Sequence, residues 1–134
     1  MVNITPMILL LIACGGALGA LARFTVQHLF SLWFGTGFPY GTLFANVSGC
    51  LLIGLLIGYW FSTGLEVSDQ MKSFLVIGVL GAFTTFSAFS LDTVNYMQNA
   101  EYIRATVNIS LNLFLCLAAT FLGFWLTRNL VSVT

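Results

Sequence analysis

Four long apolar stretches divide the chain: Pro6 to about Phe34, Gly41–Phe61, Ser73–Met97 and Tyr102–Leu126. Each exceeds the roughly 20 residues that a helix needs to cross the hydrocarbon core. The polar segments between them are short, and 134 residues leave no room for a soluble domain beside four spans. The pattern predicts an all-α integral membrane protein, a single four-helix transmembrane domain over residues 1–134. Thr5-Pro6 predicts a helix N-cap followed by proline in the first turn. The opening MVNITPM has no basic region and no small-residue cleavage site after it. The first stretch is therefore expected to be a retained helix rather than a secretory signal.

The third stretch departs from simple apolar sequence. Gly78–Ser90 reads GVLGAFTTFSAFS, with two glycines, two adjacent threonines, two serines and three phenylalanines. Gly81 and the β-branched pair Thr84-Thr85 lower local helix propensity. In hydrocarbon each unpaired N–H or C=O costs several kcal/mol, so irregular backbone survives only inside protein or beside a wet cavity. Such interruptions are where transporters and channels hold ions. The pattern predicts a broken third helix whose freed carbonyls suit a small cation. Phe83, Phe86 and Phe89 recur every third residue among hydroxyls, which disfavours a plain lipid face. Phenyl ring edges carry positive character and can line a path for an anion. Asp92 falls near the end of this helix, where an interfacial acid is the simple explanation.

The other helices add small and polar positions. Gly15 and Gly19 have the small-xxx-small spacing that brings helices close, and Gly54 and Gly58 repeat it on helix 2. Phe38-Pro39-Tyr40 reads as an interfacial anchor ahead of helix 2. Thr42, Asn46 and Gly49 share one face there. An asparagine in a span is costly unless paired. It serves either as interhelical glue or as a donor of two N–H groups to a ligand, and its residue type alone favours the glue slightly. Arg23 follows sixteen uncharged residues. It reads equally as a residue snorkelling to the interface or as one concentrating anions at a pore mouth. On helix 4, Tyr102, Thr106 and Ser110 form a hydroxyl track at i, i+4, i+8, while Asn108 and Asn112 form a second pair roughly 140° away. These neutral donors, with no lining acid, suit a hydrogen-bond-accepting anion better than a cation.

Charge and cysteine content narrow the classes. The chain is 59% hydrophobic and only 6% charged, where a soluble domain carries about 25%. Net charge is zero without a basic cluster, which argues against nucleic acid as a partner and leaves membrane lipid as the surroundings. Lys72 and Arg128 fall on one side of the membrane, Arg23 and Arg104 on the other, so the positive-inside rule sets no orientation. Insertion both ways, permitting an antiparallel homodimer, stands beside a single orientation fixed by other factors. Cys14, Cys50 and Cys116 show no metal-type spacing and read as reduced, buried small hydrophobes. His28 carries no role.

The chain resembles the small bacterial fluoride channels, the Fluc/CrcB family, over essentially its whole length. The resemblance rests on Gly15-Gly16-x-x-Gly19-x-x-x-Arg23, on Gly41-Thr42-Leu43-x-x-Asn46, and on Gly78-x-x-Gly81-x-x-Thr84-Thr85-Phe86-Ser87-x-Phe89-Ser90. It implies an antiparallel, dual-topology homodimer in the bacterial inner membrane, with two fluoride pathways and a central structural Na+ that is not transported. By motif, the Na+ ligands are the carbonyls of Gly81 and Thr84 from both subunits. Asn46, Phe86 and Phe89 match the pathway residues, and Tyr102, Thr106 and Ser110 fall at the spacing of its polar track, though another helix 4 register is open. Arg23 matches the arginine of the aqueous vestibule. Ala88 stands where threonine is frequent and Asp92 where glutamate is frequent, both mild departures.

The function so implied is passive export of fluoride, protecting the cell from its toxicity. The alternative is a small dual-topology, proton-coupled exporter of the multidrug-resistance type. That chemistry needs a membrane-embedded acid, and helix 1 has no Asp or Glu. A structural subunit of a larger membrane complex is a third class, predicting no transport by the purified chain. One histidine and four acids, mostly at loops or helix ends, make no catalytic constellation, so no enzyme is expected.

Overall fold

The computed structural model describes residues 4–131, so the start of the MVNITPM stretch lies outside the described residues. Helix 1 runs Pro6–Phe34, helix 2 Tyr40–Thr63, and helix 4 Tyr102–Val131. The third span covers Asp69–Gln98. All four are long and apolar enough to cross a membrane. The ends follow from local chemistry. Thr5 adopts extended backbone and its hydroxyl accepts from the Ile8 N–H at 3.3 Å, with Pro6 in the first turn. Helix 2 stops at Gly64, whose φ of 62° is the left-handed conformation glycine adopts without strain.

Two glycine seams assemble the helices. On helix 1, a Cβ at Gly15 would lie 2.6 Å from the Phe74 carbonyl oxygen, and one at Gly19 would fall on the Val79 carbonyl. Gly16, beside them in sequence, faces open space. On helix 2, Cβ atoms at Gly54 and Gly58 would strike Thr120 and Thr127, while one at Gly123 would lie 2.6 Å from the Leu51 carbonyl. Contacts ascend together in both seams, so helices 1 and 3 run parallel to each other, as do helices 2 and 4. The small residues act as the membrane rule requires: they let backbones approach where lipid gives no hydrophobic incentive to associate.

Helix 3 is irregular where it meets the first seam. Ser73–Leu80 is wound in the wider π form, and Gly81–Phe83 returns to a single α turn. Thr84 (φ −80°, ψ 154°) and Thr85 (φ −151°, ψ 118°) are extended, and helix resumes over Phe86–Gln98. The extended pair lies close to the midpoint of the span. Tyr96 near the far end donates its hydroxyl to the Gly37 carbonyl at 2.9 Å, tying the span to the loop between helices 1 and 2. Most large side chains point outward, Phe121, Phe114 and Leu21 among them, as lipid-facing helices require. Apart from Ile8, the buried side chains among the described residues are small or polar, with Asn108 the largest that is fully enclosed.

Candidate functional site

The extended pair is held by a side chain from another helix. Asn46 Oδ1 accepts from the Thr85 N–H at 2.8 Å, and Asn46 Nδ2 donates to the Thr85 carbonyl at 3.1 Å. The second Nδ2 hydrogen goes to Asn112 Oδ1 at 2.9 Å. Both donors of Asn46 are therefore engaged inside the chain, and the residue is only 8% exposed. The glue role weighed for this residue type is what its geometry displays. Thr85 also caps the resumed helix, its hydroxyl accepting from the Ala88 N–H at 3.2 Å and meeting Ser87 Oγ at 3.1 Å. In a continuous helix the Thr85 N–H would bond the Gly81 carbonyl four residues back. Here it is diverted to Asn46, and the Gly81 oxygen loses that donor. The Thr84 hydroxyl and N–H both turn back to the Leu80 carbonyl, each at 3.0 Å.

The polar chain continues along helix 4. Asn112 Nδ2 donates to the Asn108 carbonyl and Oδ1, both at 3.1 Å. Asn108 Nδ2 donates to Thr93 Oγ1 at 2.9 Å, and the Thr93 hydroxyl donates to the Phe89 carbonyl at 2.8 Å. Asn112 is 6% exposed and Asn108 fully buried. A ladder of amides and hydroxyls thus links the extended pair to the second half of helix 3, through three helices and without an acid. Asn108 and Asn112 were not among the site residues expected from sequence. The signal was present: asparagine cannot satisfy its amide alone in hydrocarbon, whereas hydroxyls bond back to their own helix. Thr106 does so, donating to the Tyr102 carbonyl at 2.9 Å. Tyr102 and Thr106 are exposed and Ser110 half-buried on the single chain, and the structure does not bring them to the ladder.

Two cavities flank Thr85. The larger, about 560 Å³, is an open groove walled by Asn46, Thr84, Phe86, Phe89, Asn112 and the thiol-bearing Cys50 and Cys116, among others. Phe86 is 78% exposed on it, and its ring meets that of Phe89 edge to face, with centroids 5.3 Å apart. The smaller, about 360 Å³, collects Arg23, Gln27, Thr85, Ser87 and Ala88. Gln27 Nε2 donates to Thr42 Oγ1 at 3.1 Å, fixing one wall. Arg23 is half-buried there, beside the positive end of the resumed helix. Among the described residues the one salt bridge is Arg104–Glu101 at 2.6 Å, so no carboxylate neutralises Arg23. Near the span's centre Gly81 is exposed, while Thr84 is half-buried with its methyl packed against Gly49 of helix 2. Asp92 is half-buried with the Thr42 hydroxyl beside it. Cys14, expected to be buried, faces outward on helix 1, while Cys50 and Cys116 are half-buried.

Residues 10–124 match the family described as CrcB-like protein, Camphor Resistance (CrcB). The chain belongs to this family. Relatives bearing the name "Fluoride-specific ion channel FluC" align over most of both chains. The one from Aeromonas salmonicida is 46% identical over 122 residues, covering 91% of this chain and 97% of its own. The Magnetococcus marinus relative is 42% identical over 117 residues (87% and 94%), and that from Shewanella amazonensis 43% over 114 residues (85% and 90%). Four apolar spans and membership of this family make the chain a multi-pass membrane protein.

Proposed function

We propose that this protein is a fluoride-selective channel of the bacterial inner membrane, working as an antiparallel, dual-topology homodimer. It is no enzyme: fluoride leaves the cytoplasm passively, down its electrochemical gradient, and this relieves toxicity. The observation that carries the reading is the acid-free ladder Thr85–Asn46–Asn112–Asn108–Thr93 beside the edge-on rings of Phe86 and Phe89. Phenyl ring edges stabilise a small anion, the ladder whose donors are engaged within the chain holds those rings on an acid-free groove, and no embedded acid is there to exchange protons for a cationic drug. The FluC names of the relatives point the same way.

On this reading Arg23 draws anions into the smaller cavity. Thr85, which lines both cavities, marks the crossing into the groove of Phe86 and Phe89. Tyr102, Thr106 and Ser110 continue the pathway where a second copy covers helix 4. The broken third helix supplies a cation clamp. The Gly81 carbonyl has lost its helical donor at mid-membrane, where an unpaired oxygen costs several kcal/mol. Paired with the Thr84 carbonyl, and with both repeated in an inverted copy, it presents the oxygen set that suits Na+. No group of three or more His, Cys, Asp or Glu side chains among the described residues offers a hard-cation site instead. The test is ion efflux from proteoliposomes of the purified chain. Fast fluoride release with negligible chloride release is expected, and equal permeation of the two ions would reject the selectivity assigned here.

A further inference from the structure

Helices 2 and 4 pack in a fixed register. Asn46 hydrogen-bonds Asn112 across an offset of 66 residues. Gly54 packs on Thr120 and Gly58 on Phe124, at that same offset one and two turns after the intervening position. That position pairs Cys50 with Cys116, between a hydrogen bond on one side and backbone contact on the other. Both thiols are free, both are half-buried, and both wall the larger groove together with Phe86 and Phe89. The Cys50 and Cys116 thiols are close enough to interact electrostatically. Cys14 faces outward on helix 1 and takes no part.

We propose that Cys50 and Cys116 form a two-thiol site for a soft divalent d10 cation of the mercuric class, set in the wall of the groove. Thiolates select soft metals. In the binding step each S–H gives its proton to water and two S–metal bonds form, so two thiols and one M2+ become a neutral bis-thiolate and two protons. No oxidant is consumed. Neutrality decides the metal: Ag+ or Cu+ between the same thiolates leaves a net negative charge in a low-dielectric wall, where an unpaired charge is costly. Zn2+ asks for four ligands and finds two. The nearest amides, of Asn46 and Asn112, already bond each other. Two thiols at paired positions, with no third ligand beside them, suit the two-coordination that a mercuric-class cation accepts. The consequence for transport rests on the groove being the fluoride pathway: a metal held opposite Phe86 and Phe89 obstructs it.

Purified protein is treated with mercuric chloride, washed with glutathione and weighed intact, and fluoride efflux is measured in parallel against each untreated variant. The wild type and Cys14→Ser should each retain one mercury per chain, released by a dithiol. Cys50→Ser and Cys116→Ser, or the matching alanine variants, should lose retention. Efflux of treated wild type should fall at least about tenfold and that of treated Cys116→Ser should not. Equal retention by wild type and Cys50→Ser, or retention that follows Cys14, overturns the site. Retention as expected with unaltered efflux upholds the site and overturns the groove as the pathway.

Discussion

Asn46→Ala is the most informative perturbation, because one side chain satisfies both backbone groups of Thr85 and anchors helix 4. The substitution removes three buried hydrogen bonds, two to Thr85 and one to Asn112. Interhelical hydrogen bonds in membranes average about 0.6 kcal/mol each, with a maximum near 1.7, so the three together contribute about 2 kcal/mol. Stranding a buried backbone group adds about 1–3 kcal/mol. A total of about 3–5 kcal/mol lowers the population of the observed arrangement at least about a hundredfold relative to its competitors. Detergent-solubilised Asn46→Ala should melt roughly 10 °C below wild type, with fluoride efflux down by more than about tenfold. Asn46→Asp keeps an acceptor for the Thr85 N–H but opposes carboxylate oxygen to the Thr85 carbonyl and Asn112 Oδ1. It should do no better. A double-mutant cycle with Asn112→Ala should return a coupling of about 0.6–1.7 kcal/mol. Wild-type melting and efflux in Asn46→Ala would refute the ladder as the element that holds the site together.

Further expectations follow from other parts of the fold. Gly19→Ala drives a methyl onto the Val79 carbonyl and should cost about 1–3 kcal/mol, whereas Gly16→Ala, facing open space, should be neutral or stabilising by thermal melting. Phe86→Ile and Phe89→Ile should cut fluoride efflux while size-exclusion chromatography still shows a dimer; wild-type efflux in both would leave the rings a packing role only. In a cysteine-free background, Glu66→Cys, on the loop between the second and third spans, should be labelled by impermeant thiol reagents from both membrane faces. Labelling from one face alone would reject dual topology. Replacing Na+ throughout preparation by a bulky organic cation should suppress fluoride efflux reversibly, and efflux indifferent to Na+ would remove the clamp assigned to Gly81 and Thr84.

How far the sequence was legible depended on whether each signal was local. The spans follow from apolar length, and the helix 1 start from Thr5-Pro6, because a helix in lipid must satisfy its own backbone. The Gly15/Gly19 and Gly54/Gly58 seams follow from spacing within single helices. What spacing cannot give is partnership across the chain. Asn46 finds Thr85 at 39 residues' separation and Asn112 at 66. A preference for interhelical glue was readable from the residue type, but not that the glue grips the extended pair itself. The two tracks on helix 4 were likewise equivalent by periodicity. Chemistry separates them on the single chain: Thr106, Thr120 and Thr127 each satisfy their hydroxyl on the carbonyl four residues back, while Asn108 and Asn112 must be enclosed by neighbours.

The same reasoning joins the two halves of the proposed site. The Thr85 N–H has two candidate acceptors, the Gly81 carbonyl in a continuous helix and Asn46 Oδ1 in the observed one. While Asn46 holds it, Gly81 keeps an oxygen without its helical donor, and Thr84 stays extended beside it. Phe86 is then turned onto the groove as the first residue of a freshly capped helix. Removing Asn46 lets the N–H return to Gly81, which heals the helix, withdraws the carbonyl from any cation and rotates Phe86 off the groove. Cation clamp and anion wall are therefore expected to fail together in Asn46→Ala. In Phe86→Ile or Phe89→Ile, which leave every hydrogen bond of the ladder in place, anion flux alone should fail, with Na+ dependence of assembly retained.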